Sequence, residues 1–285
     1  MFWKVIPLEQ IFRREAEVHF YDCDPQSRMK VSAANKLLAD MADAHYAARG
    51  MDHKWLWEHG FVFLVSKVSI RFDRLPRPRE ILTADTWERG IKGASFLRDF
   101  EIRDAEENRV MTASTTWMLV NPESWQVLRP SEFPNAQPTG IEADCPQCRR
   151  LKMTEGVPVG QRQVRYSDLD ANGHIYNAVY ADIAVDALPE KFQRTPLSTY
   201  QINFIHQAVL GDTISLWMQQ INDYTVVIKG VVGDHDCFLC EFGYRPSEGE
   251  QNVMGNAVRS IFRAAFVLVN YPTDRSLFVK IQNIL

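Results

Sequence analysis

The sequence predicts an α+β fold built twice over, and three observations predict it. A helical pattern followed by a series of strand-like runs occurs in the first half of the chain and again in the second. A stretch rich in Pro, Ser, Asn, Gly and charge, from Pro122 to about Gly160, separates the two. The halves also share a local pattern: Asp22-x-Asp24-x-Gln26-x-Arg28-Met29 can be laid on Asp168-x-Asp170-x-Asn172-x-His174-Ile175, and Ile70-x-Phe72 on Ile202-x-Phe204. In each half, one helix followed by a meander of strands is the pattern expected of a sheet wrapped around a helix.

Residues 11–20 alternate, with Ala16, Val18 and Phe20 on one face and Glu15, Glu17 and His19 on the other, as a half-buried strand should. Ser32 is placed to cap an Ala-rich helix that runs through Arg49 and is closed by Gly50, at the position where helices favour a left-handed residue. Its apolar stripe is Ala34, Leu37, Leu38, Met41, Ala44 and Ala48, small enough to let a sheet approach closely. An aromatic-rich stretch from Trp55 to His59 precedes strand-like runs at 61–72, 81–89, 94–103 and 110–120, with a turn at Asp104 to Asn108. After the Pro-rich stretch come a strand at 161–166, a helix from about Asn177 to Leu188, and strands at 198–205, 213–221, 225–232 and 237–244.

At 285 residues, 46% hydrophobic and 24% charged, the chain has the composition of an ordinary soluble protein. A net charge of -4 and a pI near 6.0 argue against a general nucleic-acid binder. The first ten residues lack the apolar core and small-residue cleavage site of a secretory signal, so a cytoplasmic location is expected. No apolar run approaches the ~18 to 20 residues that span a bilayer, and Ala264 to Val269 is far too short. Five cysteines, an odd number, fit a reducing compartment. The CxxC pairs Cys145/Cys148 and Cys237/Cys240 raise the question of a zinc site, but they lie much farther apart than zinc-ribbon spacing. The second pair reads as strand, which would send its sulfurs to opposite faces. No metal and no other cofactor is expected.

The segment Tyr166-Ser167-Asp168-Leu169-Asp170-Ala171-Asn172-Gly173-His174-Ile175-Tyr176-Asn177 gathers a carboxylate, an amide and an imidazole at two-residue spacing, where an extended run gives way to a helical one. If the segment is extended, Asp170, Asn172 and His174 share one face, an arrangement suited to bond-breaking chemistry. The competing reading is a polar turn in which Asp and Asn bond the local backbone and Gly173 supplies an unusual dihedral. Asp168 reads as a turn or capping residue. His206, like His19, His45, His53, His59 and His235 individually, reads as carrying no chemistry.

The run D-x-D-x-N-x-H-[IV]-x-N-x-x-Y, here Asp168, Asp170, Asn172, His174, Ile175, Asn177 and Tyr180, resembles the active-site motif of the plant and bacterial acyl-acyl carrier protein (acyl-ACP) thioesterases. A second stretch similar to that family follows, Tyr200-Gln201-Ile202-Asn203-Phe204-Ile205-His206-Gln207-Ala208-Val209-Leu210-Gly211-Asp212-Thr213. The resemblance covers roughly residues 10–247 and is more specific in the second half. It implies a tandem (double) hotdog, each unit an antiparallel sheet wrapped around a central helix: 10–135 non-catalytic and forming the acyl pocket, 136–158 a linker, 159–247 catalytic, and 248–285 a tail of unassigned role.

The activity implied is hydrolysis of fatty acyl-ACP to free fatty acid and acyl carrier protein, with Asp170 as base or nucleophile, His174 as acid, base or hydrogen-bond donor, and Asn172 orienting water or the carbonyl. The N-terminus of the helix near Asn177 offers free N–H groups and a positive dipole end. Where the plant enzymes carry a Glu-Cys pair, this chain has Gln207-Ala208, so Gln207 is expected to position water rather than act as base. Because the carrier protein is acidic, two basic clusters are candidate docking surfaces, Arg71, Arg74, Arg77 and Arg79, and Arg149 and Arg150 with Lys152; the competing reading is solvated charge guarding a sheet edge. Pocket depth would be set by whichever of Trp55, Trp57, Phe61, Phe63 and their neighbours turn inward. Two other activities stay open, hydrolysis of acyl- or aryl-coenzyme A, and silent binding of acyl-ACP. The oligomeric state is likewise open, a homodimer included.

Overall fold

Ten antiparallel strands join into one sheet, with neighbours in the order β1-β3-β4-β5-β2-β7-β10-β9-β8-β6 in the computed structural model, which describes residues 10–245. They are β1 (Phe12–Glu17), β2 (Val62–Phe72), β3 (Ile81–Lys92), β4 (Ser95–Arg103), β5 (Arg109–Val120), β6 (Val157–Gln163), β7 (Leu197–Phe204), β8 (Thr213–Asn222), β9 (Thr225–Val232) and β10 (His235–Tyr244). The order 1-3-4-5-2 in one half is repeated by 6-8-9-10-7 in the other, so the sequence repeat is also a repeat of topology. The expected tail and the first nine residues lie outside the described region.

The halves meet where β2 pairs with β7, Val68 opposite Ile202 and Ile70 opposite Tyr200. These four are buried in one apolar core shared by both halves. Period-two alternation then sends Ser69, Gln201 and Asn203 to the other face. On the core face lie helices α1 (Val31–Ala48) and α3 (Asn177–Asp186), packed against each other, and each is followed in the chain by a short helix, α2 (His53–Glu58) and α4 (Glu190–Arg194).

Helix α1 departs from expectation at its start. Its N-cap is Lys30, and Ser32 is buried inside the first turn. The chain's entry is fixed by backbone bonds instead, Met29 N–H to Pro76 O (2.8 Å) and Lys30 N–H to Asp22 O (2.9 Å), so tertiary pairing overrides the local capping preference. Gly50 does adopt φ +77 just past the helix end. Ala34, Leu38 and Met41 of the expected stripe are buried, and Asn35 and His45 are buried with them, while Ala48 is exposed.

The Pro-rich connection runs over the sheet face opposite the helices and is pinned to it. Ala143 N–H donates to Asp99 (2.8 Å), Asp144 receives both Arg71 and Arg109, and Asn203 and Gln201 donate to the Arg149 carbonyl. Cys145 and Cys148 donate to backbone carbonyls of β2 and β5, and burial pushes their thiols up to about 12 and about 11. A bulge between Asp236 and Phe238 brings Cys237 as well as Cys240 into the core, correcting the expectation of opposite faces.

Candidate active site

Strand β6 ends at Gln163, earlier than the sequence suggests, and the chain enters a single 3-10 turn at Tyr166–Asp168. Asp168 holds this corner. Its carboxylate receives two bonds from Arg162 (2.7 and 2.8 Å) and one from the Arg165 N–H (2.8 Å), and its carbonyl accepts from the Tyr176 N–H (2.9 Å). The hydrogen bond from Arg162 holds the Asp168 carboxyl below the usual carboxylate range.

The motif itself is a tight turn rather than an extended run. Asp170 N–H donates to His174 O (2.9 Å), Gly173 N–H donates to Asp170 O (3.0 Å), and the Asp170 carboxylate accepts the Asn172 N–H (2.8 Å). Gly173 takes φ +76, which L side chains adopt only with strain. The polar-turn geometry is therefore present, yet Asp170, Asn172 and His174 all line one cavity of about 760 Å3. Turn chemistry and a shared cavity coexist because closing the turn is what brings three alternating side chains to one end of the pocket.

Pairing with the second stretch completes this end. His174 bridges Val209, and Ile175 N–H approaches the Ala208 carbonyl (3.4 Å). The Tyr180 hydroxyl, on α3, accepts the Ala208 N–H (3.0 Å), and burial pushes this phenol up to about 12. Gln207, next to that anchored residue, also lines the cavity, as does Asn177 at the start of α3. The four expected site residues, Asp170, Asn172, His174 and Gln207, thus share one cavity.

The cavity's apolar wall comes largely from the first half, including Leu38 and Ala42 of α1, Phe61 and Phe63 at the start of β2, and Phe96 of β4. Trp55 stacks instead on His59, and Trp57 is exposed. The wall also holds a buried polar cluster. Arg98 Nη1 donates to His45 Nδ1 (2.8 Å), and burial, reinforced by the charges of Arg98 and Arg49, pushes that imidazole down to about 3, so it stays neutral.

Two contributors were not legible in the sequence. Trp125, on the loop after β5, packs its indole nearly perpendicular to the His174 ring (centroids 6.3 Å, 76° between planes) and takes φ +56, a strained value for a bulky side chain. His206, expected to be a strand residue, lies just beyond β7 and lines the cavity. Nothing local distinguishes either residue, since both positions depend on pairing between the halves or between distant strands.

The first half's counterpart of the motif is filled by its own side chains. Arg28, 6% exposed, donates to Asp24 (2.9 Å), to Gln26 (3.0 Å) and to the carbonyls of Gln193 and Arg194. Among the described residues, no group of three or more His, Cys, Asp or Glu could hold a metal ion, and no helix is long and apolar enough to cross a membrane.

A family model for the acyl-ACP thioesterase N-terminal domain matches residues 9–132, and one for the acyl-ACP thioesterase C-terminal domain matches residues 153–258. Curated relatives include a chloroplastic palmitoyl-acyl carrier protein thioesterase of Cuphea hookeriana, 21% identical over 202 residues, covering 65% of this chain and 48% of that protein. A chloroplastic dodecanoyl-[acyl-carrier-protein] hydrolase of Cinnamomum camphora is 20% identical over 223 residues, covering 72% and 58%. The chain spans about half the length of the curated relatives it matches. Among solved structures, an acyl-ACP thioesterase from Bacteroides thetaiotaomicron superposes with a TM-score of 0.76 at 18% identity, covering 83% of this chain and 98% of that one. The 12:0-ACP thioesterase from Umbellularia californica gives 0.72 at 14% identity, covering 84% and 98%. At these identities the structural likeness bears on the fold, which is the expected double hotdog.

Proposed function

We propose that this chain, which belongs to the acyl-ACP thioesterase family, hydrolyses the thioester of fatty acyl-ACP to free fatty acid and acyl carrier protein, ending fatty acid synthesis. The observation that carries this reading is the cavity, whose polar end holds Asp170, Asn172, His174 and Gln207 while its apolar wall comes mainly from the other half of the chain. Its volume of about 760 Å3 falls within the ~300–1,000 Å3 range of ligand pockets.

Thioester cleavage asks little beyond this. Sulfur donates poorly into the carbonyl and leaves readily as thiolate, so the protein must position water or a carboxylate, supply donors to the oxyanion and shelter the acyl chain. Asp170 serves as base or nucleophile, His174 transfers or donates a proton, and Asn172 and Gln207 orient water and carbonyl. The start of α3 at Asn177 adds the positive end of a helix dipole beside them. In this division of labour the first half is the acyl pocket and the second the catalytic unit, with Arg28 occupying the position that His174 takes in the repeat.

Docking of the acidic carrier protein falls on the cations that remain available. Arg71, Arg74 and Arg149 are engaged by Asp144, by Glu80 and Asp104, and by Glu241. Arg77 spends one guanidinium nitrogen on the Gln26 and Ser27 carbonyls, and Arg79, 83% exposed, touches Glu17 at 3.3 Å. Arg77, Arg79 and Arg150 are therefore the proposed contacts.

The test is release of free fatty acid from a panel of acyl-ACPs of graded chain length, with His174→Ala alongside and the salt concentration varied. Turnover by the wild type, lost by a factor of ~100 or more in the variant, is the expected result. Added salt should raise KM, because surface attraction is screened over ~8 to 10 Å at physiological ionic strength. A well-folded wild type that turns over only acyl- or aryl-coenzyme A, or binds acyl-ACP without turnover, would sink this reading.

A further inference from the structure

Gln207 can hold a water molecule but cannot take its proton, because a side-chain amide has no basic nitrogen. The residue before it can. His206 lines the same cavity, and its Nδ1 lies 2.9 Å from the Asp236 carbonyl oxygen. A carbonyl oxygen only accepts, so Nδ1 carries the hydrogen, and in the neutral ring the lone pair is left on Nε2. Fixing the tautomer through one ring nitrogen while the other stays open is how a protein prepares an imidazole to act as a base.

The ring is held by the sheet rather than by a free loop. Ile205 and His206 both donate their backbone N–H to Cys237 O (2.8 and 3.2 Å), which docks the end of β7 onto the start of β10 beside the bulge between Asp236 and Phe238. The His235 ring lies 5.3 Å away, tilted by 43°. Two and three residues further along, Ala208 and Val209 pair with Ile175 and His174, so adjacent backbone brings His206 and His174 to the same end of the cavity. The titratable groups beside it are His235 and Asp236, whose carboxylate is held by Lys229 at 3.3 Å, while His174 and Asp170 of the motif turn line the same cavity.

We propose that His206 is a second catalytic imidazole, the general base that activates water beside Gln207; this rests on the thioesterase reading above. Nε2 takes a proton from water as the water oxygen bonds to the thioester carbonyl carbon. The tetrahedral oxyanion then collapses with cleavage of the C–S bond, and Nε2 returns its proton to the departing sulfur, giving a carboxylic acid and a thiol. His174, Asn172 and the start of α3 are left to face the oxyanion. On this assignment Asp170 gives up the role of base or nucleophile stated above, and its carboxylate, which accepts the Asn172 N–H, keeps the turn closed.

The experiment compares His206→Ala and His206→Asn with wild type in the full chain, on whichever acyl-ACP the wild type hydrolyses best. The Asn variant keeps an N–H to offer the Asp236 carbonyl but has no base. Both variants should lose kcat by ~100-fold or more with little change in KM. Added imidazole should restore part of the rate to His206→Ala and none to His206→Asn, where the amide fills the site. Wild-type kcat in His206→Asn, or a loss in His206→Ala that imidazole leaves untouched, overturns the assignment while leaving the thioesterase reading standing. Absence of turnover by the wild type itself overturns both.

Discussion

Trp125 and Asp168 each tie down part of the candidate site, Trp125 by packing against the His174 ring and Asp168 by its bonds from Arg162 and the Arg165 N–H. Trp125 is 49% exposed, so little burial would be lost on removing its indole, and its φ of +56 is relaxed by glycine. Trp125→Gly should therefore leave the melting temperature unchanged or raise it, by relief of about 1 kcal/mol of strain, while lowering kcat severalfold because the His174 ring loses its contact. Parallel calorimetry and kinetics would check this, and a fall in both would assign Trp125 to folding alone. Asp168 behaves oppositely. The hydrogen bond from Arg162 lowers its folded-state pKa, so the stabilisation is fully present above the unfolded value of ~3.9 and is lost as pH falls through the folded one. Asp168→Asn, which leaves Arg162 without its partner, should cost about 2–3 kcal/mol at neutral pH and flatten the acid limb of the stability curve. Urea unfolding at pH 7 and across the acid range would read both effects.

At the level of elements, the strands and the two long helices were legible because apolar periodicity is local: β2, β4, β5 and β8 to β10 fall within a few residues of the runs that predict them. The failures share a cause. Ser32 loses its capping role to Lys30 because Met29 and Lys30 are bonded to Pro76 and Asp22, partners outside the helix. The motif could be read either as an extended run or as a polar turn because alternation of Asp170, Asn172 and His174 satisfies a strand pattern equally well, while the bonds that decide for the turn, Asp170 N–H to His174 O and Gly173 N–H to Asp170 O, involve backbone that composition does not display. Of the site, the motif residues and Gln207 could be found in the sequence, whereas Trp125, His206 and the buried Arg98–His45 pair could not, since each is placed by an element remote in the chain.

For the whole molecule, the decisive feature is that the two repeats close over one core. β2 has a partner on each side, β5 from its own half and β7 from the other, and its Ser69 stands opposite both Ser114 and Gln201. Helices α1 and α3 pack together on the core face, and the Pro-rich connection crosses the other face to reach Gln201, Asn203 and Glu241. Neither half can lose its structure without stripping apolar surface from the other, since Val68, Ile70, Tyr200 and Ile202 would be exposed together. Residues 10–245 should therefore unfold in one calorimetric transition whose van't Hoff and calorimetric enthalpies agree. Ser69→Pro, which removes a backbone donor from a central strand, should lower that single transition by about 3 kcal/mol rather than split it. Two resolved transitions, one of them insensitive to Ser69→Pro, would instead show that the halves fold independently, and the cavity's apolar wall and the motif turn would then be separable parts.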